Sequence, residues 1–152
     1  MKFLFSLLLF TAVLNLKAQK DKEELACLGY DTIQYNYVVL GDTVEAVFYI
    51  VNTSAHTIPI WQVHPGCQCT VPVYPDSLSP FRTDSVVLAF YSAHTPPGYF
   101  EKGAIVLNPL GERNLLLTGT ITKPQPKGRK PRKYRIYNTR LYKEDVALLL
   151  QK

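Results

Sequence analysis

The sequence predicts an all-β, immunoglobulin-like two-layer antiparallel sandwich of about seven strands. Three observations carry that expectation. Apolar and polar residues alternate with period two through most of 31–122. Short runs rich in Val, Ile, Thr, Tyr and Phe are separated by Gly, Pro, Asn and Asp. No helical period lasts ten residues inside that region, so strands follow strands with no crossover helices between them.

The chain has 152 residues. Lys2 is followed by an apolar run from Phe3 to Leu14, and Leu16-Lys17-Ala18 offers a small residue ahead of Gln19. Residues 1–18 therefore read as a secretory signal peptide. The run is too short to span a bilayer, which takes about 20 residues, and no later stretch is long enough. After cleavage the protein is expected to have no transmembrane span and to reside in the periplasm or at the outer cell surface. Residues 19–28 read as a mobile, charged lead-in.

The sandwich is expected over 29–122. Asp31 to Leu40 reads as one or two strands, closed by a turn at Gly41-Asp42. Thr43 to Asn52 is the clearest strand, with Val44, Ala46, Phe48 and Ile50 on one face and Glu45 and Tyr49 on the other. Asn52 to Ala55 is a turn. Thr57 to Val63 is strand-like, with Ile58 and Ile60 inward. Cys67 to Tyr74 reads as a strand with Cys67, Cys69, Val71 and Val73 on one face. Ser85 to Tyr91 alternates through Val86, Leu88 and Phe90. Glu101 to Asn108 and Arg113 to Thr122 form a hairpin around Pro109-Leu110-Gly111-Glu112.

Charge divides the chain. Residues 19–122 hold 5 Lys/Arg against 10 Asp/Glu, whereas 123–152 hold 10 against 2. An acidic domain thus carries a basic extension, read as a Pro-rich linker and a short C-terminal helix over Arg140–Leu150. Lys123, Lys127, Arg129, Lys130, Arg132, Lys133 and Arg135 form the basic stretch. It suits anionic lipid headgroups, an anionic polysaccharide or an acidic protein. Alternatively, it docks back on the acidic sandwich. Nucleic acid is not an expected partner of an exported protein.

The chemistry-bearing residue types converge on His64-Pro65-Gly66-Cys67-Gln68-Cys69-Thr70. Four readings of the cysteines stand open. They are small apolar residues of a core face; or Cys27 bonds to Cys67 or Cys69, as export allows; or Cys67 and Cys69 bond directly. The direct bond must span two strand steps, roughly 6.6 Å, near the upper limit for a disulfide. In the fourth reading Cys67, Cys69 and His64 are soft ligands for Cu(I) or Zn(II), or a thiol-redox group. No other cofactor is expected. Trp61 is expected to fill the core or an edge, with a surface anchor as the alternative. No Gly-x-Ser-x-Gly, His-Glu-x-x-His or phosphate-loop pattern occurs, and the chain is not expected to be an enzyme.

Several motifs together resemble the bacterial Ig-like family called domain of unknown function 1573, typical of Bacteroidota and related to ASH and PapD-like sandwiches. They are Gly41-Asp42-Thr43-Val44, Asn52-Thr53-Ser54, Ile60 with Val63 running into Cys67-Gln68-Cys69-Thr70, Gly98-Tyr99-Phe100-Glu101-Lys102, and Leu115 to Ile121 with Gly119. Gln68 stands where the family commonly has Gly, and Phe81 follows Pro80 where Pro-Gly is common. The resemblance implies an exported Ig-like interaction or structural module of the cell envelope, with an envelope protein as its partner and no established activity.

Overall fold

A computed structural model describes residues 25–123 and 128–138. The expected signal peptide, most of the expected lead-in, Lys127 and the expected C-terminal helix lie outside the described residues. The strands run β1 (Leu25–Cys27), β2 (Thr32–Val39), β3 (Thr43–Asn52), β4 (Ile58–Pro59), β5 (Gln62–Pro65), β6 (Thr70–Val73), β7 (Ser77–Leu78), β8 (Thr83–Tyr91), β9 (Gly98–Asn108), β10 (Gly111–Thr122) and β11 (Lys133–Tyr137). A 3-10 turn, Ser92–His94, follows β8.

Two sheets face each other. One has the order β1-β3-β8-β6, with β11 also paired to β3; the other has the order β2-β10-β9-β5; β4 and β7 form a separate ribbon. The predicted inward set of β3 is fully enclosed: Val44, Ala46, Phe48 and Ile50 are each 0% exposed. Val86, Leu88 and Phe90 of β8 join them. Val106, Leu115, Leu117 and Ile121 come from the facing sheet. Phe90 and Phe100 stack across the gap with centroids 4.7 Å apart. Burying each such side chain contributes about 1.5–3 kcal/mol, so this interface dominates the stability. The late hairpin also forms as expected, Gly111 pairing with Asn108 around Pro109-Leu110.

One irregularity explains why β2 read as one or two strands. Gly119 pairs with Tyr35, but Thr120 pairs with Tyr37, so Asn36 is the extra residue of a bulge. The bulge reverses the parity of the inward positions. Ile33 and Tyr35 pack inward before it, Val38 and Leu40 after it.

Four expectations are corrected by the pairing. The sheets are not wholly antiparallel, since β10 pairs with β2, and β11 with β3, in parallel. Leu25–Cys27 belongs to the sheet, antiparallel to β3, rather than to a mobile lead-in, because Leu25 is buried in the core. The domain does not stop at 122, since Lys133–Tyr137 adds a strand parallel to β3. Eleven strands occur among the described residues, several of them only two to four residues long. Phe81 has φ +53°, the left-handed conformation that glycine takes without cost. Its ring points outward, 64% exposed.

Candidate functional site

Two features stand apart from ordinary sandwich packing: the edge of β3, and the turn that carries the cysteines.

The edge of β3 is shared. β1 pairs with Ile50–Asn52, and β11 pairs with Thr43–Val47. The ladder at β11 is continued by Thr43 N–H donating to Arg132 O and Asn138 N–H donating to Val47 O, each at 2.9 Å. At the join between the two short strands, Asn138 substitutes for missing backbone. Its Oδ1 accepts from Tyr49 N–H at 3.0 Å, and its Nδ2 donates to Tyr49 O at 3.3 Å. Leu28 N–H donates to the same carbonyl.

Charge explains why this basic segment lies here. Asp42 is fully buried, and its carboxylate accepts from Arg129 through two bonds and from the Arg132 N–H at 2.9 Å. The Arg129 hydrogen bonds hold the Asp42 carboxyl below its ordinary range despite burial. Glu45, which read as an outward residue, is only 8% exposed because β11 covers it. It is paired with Lys133 and with Arg135, and Lys133 is the main reason its carboxyl is also depressed. Tyr137 stacks on Tyr49 with planes 7° apart, and Tyr134 lies against Tyr35. The side chains of Lys123, Lys130 and Arg132 are exposed, whereas Arg129, Lys133 and Arg135 are engaged with acids of the sandwich.

The cysteine turn connects the two sheets. Gly66 N–H donates to Gly103 O in the second sheet, and Tyr91 N–H donates to Cys69 O in the first. Between these anchors Cys67 and Cys69 are joined by a disulfide, their Cα atoms 5.3 Å apart. They come closer than two strand steps because the chain turns here and β6 starts only at Thr70. The strand expected from Cys67 therefore begins three residues later, and the face shared by Val71 and Val73 is its outer one. Thr70 is buried, while Val71 and Val73 are 46% and 62% exposed.

Of the four readings of the cysteines, the bond from Cys27 to Cys67 or Cys69 is not made. Cys27 stands opposite Ile50, whereas Cys69 adjoins Tyr91, which stands opposite Thr43. Ile50 and Thr43 are roughly 23 Å apart along β3. Cys27 is a free thiol, and burial pushes its pKa up. The metal set of Cys67, Cys69 and His64 is also not assembled. The two sulfurs are bonded to each other and supply no thiolates. His64 is exposed on β5 opposite Ile105 and lines an open groove of about 350 Å³ with Gly66, Gly103 and Leu116. No cluster of three or more His, Cys, Asp or Glu suited to a metal occurs among the described residues.

By the chain-entropy estimate, a bond closing so short a loop contributes only about 1–2 kcal/mol. Thr70 Oγ1 lies 3.5 Å from Cys67 Sγ. Trp61 is 66% exposed, so it fills no core position; its backbone N–H bonds Leu107 O at the edge of the sheet.

The family model described as "Protein of unknown function (DUF1573)" matches residues 28–121, from the Leu28 contact with β3 to the end of β10. The chain belongs to this family. Among solved structures it is similar to a protein of unknown function from Porphyromonas gingivalis W83, at 12% identity and a TM-score of 0.55 over 70% of this chain. The match covers 51% of that protein, so this chain corresponds to about half its length. It is also similar to the ASH/PapD-like domain of human CEP192, at 14% identity and a TM-score of 0.52, covering 68% of this chain and 87% of that one. These likenesses show the fold alone, a β-sandwich like that of ASH/PapD-like domains. No curated protein matches. Among the described residues no helix is long and apolar enough to cross a membrane.

Proposed function

We propose that this DUF1573 chain is an exported interaction module of the bacterial cell envelope that binds protein partners at the edges of its sheets. One observation supports this reading above the others. The edge of β3 already takes an added strand, β11, through a parallel ladder reinforced by charge. Strand addition gives affinity through main-chain hydrogen bonds and selectivity through alternate side chains. Here the chain shows both components in cis: ladder bonds at Thr43 and Val47, and charge matching at Glu45. Export rests on the apolar N-terminal run of the sequence. The exposed Lys123, Lys130 and Arg132 suit an acidic partner or an anionic envelope surface. The reading assigns no turnover and no cofactor to the chain.

Cell fractionation followed by affinity purification of the crosslinked full chain tests it. Recovery in the periplasmic or outer-membrane fraction with a stoichiometric protein partner is expected. A cytoplasmic location, or no partner in any envelope fraction, contradicts it.

A further inference from the structure

We propose that the Cys67–Cys69 pair is a thiol–disulfide exchange site for the cysteines of exported peptides. This goes beyond the module reading and rests on it only for export, which supplies the class of peptide; the exchange chemistry stands on the geometry of the pair.

Four observations lead there. First, the bond closes so short a loop that it restrains the unfolded chain little, and the core cluster contains neither Cys67 nor Cys69 among its fully buried members. A purely structural role leaves such a bond with little to do. Second, the turn is bracketed by backbone bonds on both sides, Gly66 to Gly103 and Tyr91 to Cys69. These bonds do not depend on the sulfurs, so the two cysteines stay neighbours when reduced and the pair closes again readily. Third, the two cysteines are inequivalent. Cys69 packs against the core, whereas Cys67 lies beside the Thr70 hydroxyl at 3.5 Å. That hydroxyl can donate to a Cys67 thiolate, which makes Cys67 the better thiolate of the two. Fourth, both cysteines are partly exposed, and the residues flanking Cys67, Gly66 and Gln68, are exposed, so a thiol can approach.

The exchange balances without any further reactant. A peptide thiolate attacks Cys67 Sγ and forms a mixed disulfide. The Cys67–Cys69 bond breaks, and its electron pair leaves on Cys69 sulfur, which takes up a proton. The second thiolate of the peptide attacks the peptide sulfur of the mixed disulfide and expels Cys67 as a thiolate, held by Thr70 O–H. Two peptide thiols are oxidised to a disulfide, and the protein pair is reduced to a dithiol. The reverse sequence reduces a peptide disulfide.

The full chain carrying Cys27→Ala isolates the pair. Incubated oxidised, without air, with a reduced two-cysteine peptide, it is expected to yield one peptide disulfide per chain reduced, read by alkylation and mass spectrometry. With an oxidised peptide, Cys69→Ser is expected to accumulate a mixed disulfide on Cys67. Cys67→Ser should do so about tenfold more slowly, the effect of one hydrogen bond to a charged sulfur. Thr70→Val should slow capture by a similar factor and Thr70→Ser restore it, with circular dichroism unchanged in both. A pair that stays oxidised in excess peptide overturns the proposal. So does reduction by glutathione but not by the peptide, or equal capture by the two Ser variants.

Discussion

The carboxylate of Asp42 and the guanidinium of Arg129, 87 residues apart in sequence, meet through two hydrogen bonds of 2.8 and 2.7 Å just ahead of β11. The acid is fully buried, and the Arg129 side chain is only 18% exposed. Removing one partner strands the other in a dry site. Arg129→Ala is therefore expected to lower stability by about 3 kcal/mol in urea unfolding at neutral pH. Arg129→Lys recovers only part of this, because an ammonium cannot make the fork.

Acid should loosen the β11 edge first. Asp42 is held below its ordinary value of 3.8 by Arg129, and Glu45 below 4.5 by Lys133 and then Arg135. A carboxylate depressed in the folded chain binds protons less readily folded than unfolded. The stability it lends is complete above the unfolded value and drains away as the pH falls through the folded one. The melting temperature is expected to be flat above about pH 5 and to drop as the pH falls below about 4. Most of that drop belongs to Asp42. Lys133 and Arg135 are 62% and 56% exposed, so the Glu45 pairs contribute at most about 1 kcal/mol. Arg129→Ala should flatten the acid limb.

Gly119 is required by its surroundings. A Cβ there would overlap the Tyr35 carbonyl oxygen and come within 2.9 Å of the Phe100 ring. The bulge at Asn36 and the stacked pair Phe90–Phe100 both lie against this point. Gly119→Ala is expected to cost about 3 kcal/mol by equilibrium unfolding.

Asn138 completes a strand edge with its side chain. In Asn138→Ala, Tyr49 N–H and C=O lose their amide partners, although Leu28 still serves the carbonyl. A loss of about 1–3 kcal/mol is expected. Amide exchange should quicken most at Tyr49.

Much of this arrangement was legible in the residues. The inward sets Val44, Ala46, Phe48, Ile50 and Val86, Leu88, Phe90 were legible because they face the opposite layer, although Val47 and Ala89 on the other side are buried too. Pro109-Leu110 marked its hairpin. The cysteine strand was read too long because alternation cannot show where a turn ends: Val71 and Val73 share a face as read, but Cys67 and Cys69 lie in the turn ahead of β6. β11 was hidden for a different reason. Only Tyr134 and Ile136 turn inward, and Lys133, Arg135 and Tyr137 stay exposed while pairing with Glu45 and Tyr49, so Lys133 to Tyr137 has the composition of a solvated tail. Nothing local to Asp42 pointed to Arg129. Trp61 read as a core or edge filler with a surface anchor as the alternative; the alternation with buried Ile60 carries it outward, at the sheet edge.

Native-state hydrogen exchange on the full chain tests the central claim most directly, residue by residue. A tail that completes the β3 edge predicts slow exchange at the Asn138 amide, which donates to Val47 O, and at the Thr43 amide, which donates to Arg132 O. Asp42→Asn should speed both while the β3–β8 ladder stays protected. Exchange of these amides at unstructured rates in the unaltered chain, beneath a fully protected β3–β8 ladder, would contradict it.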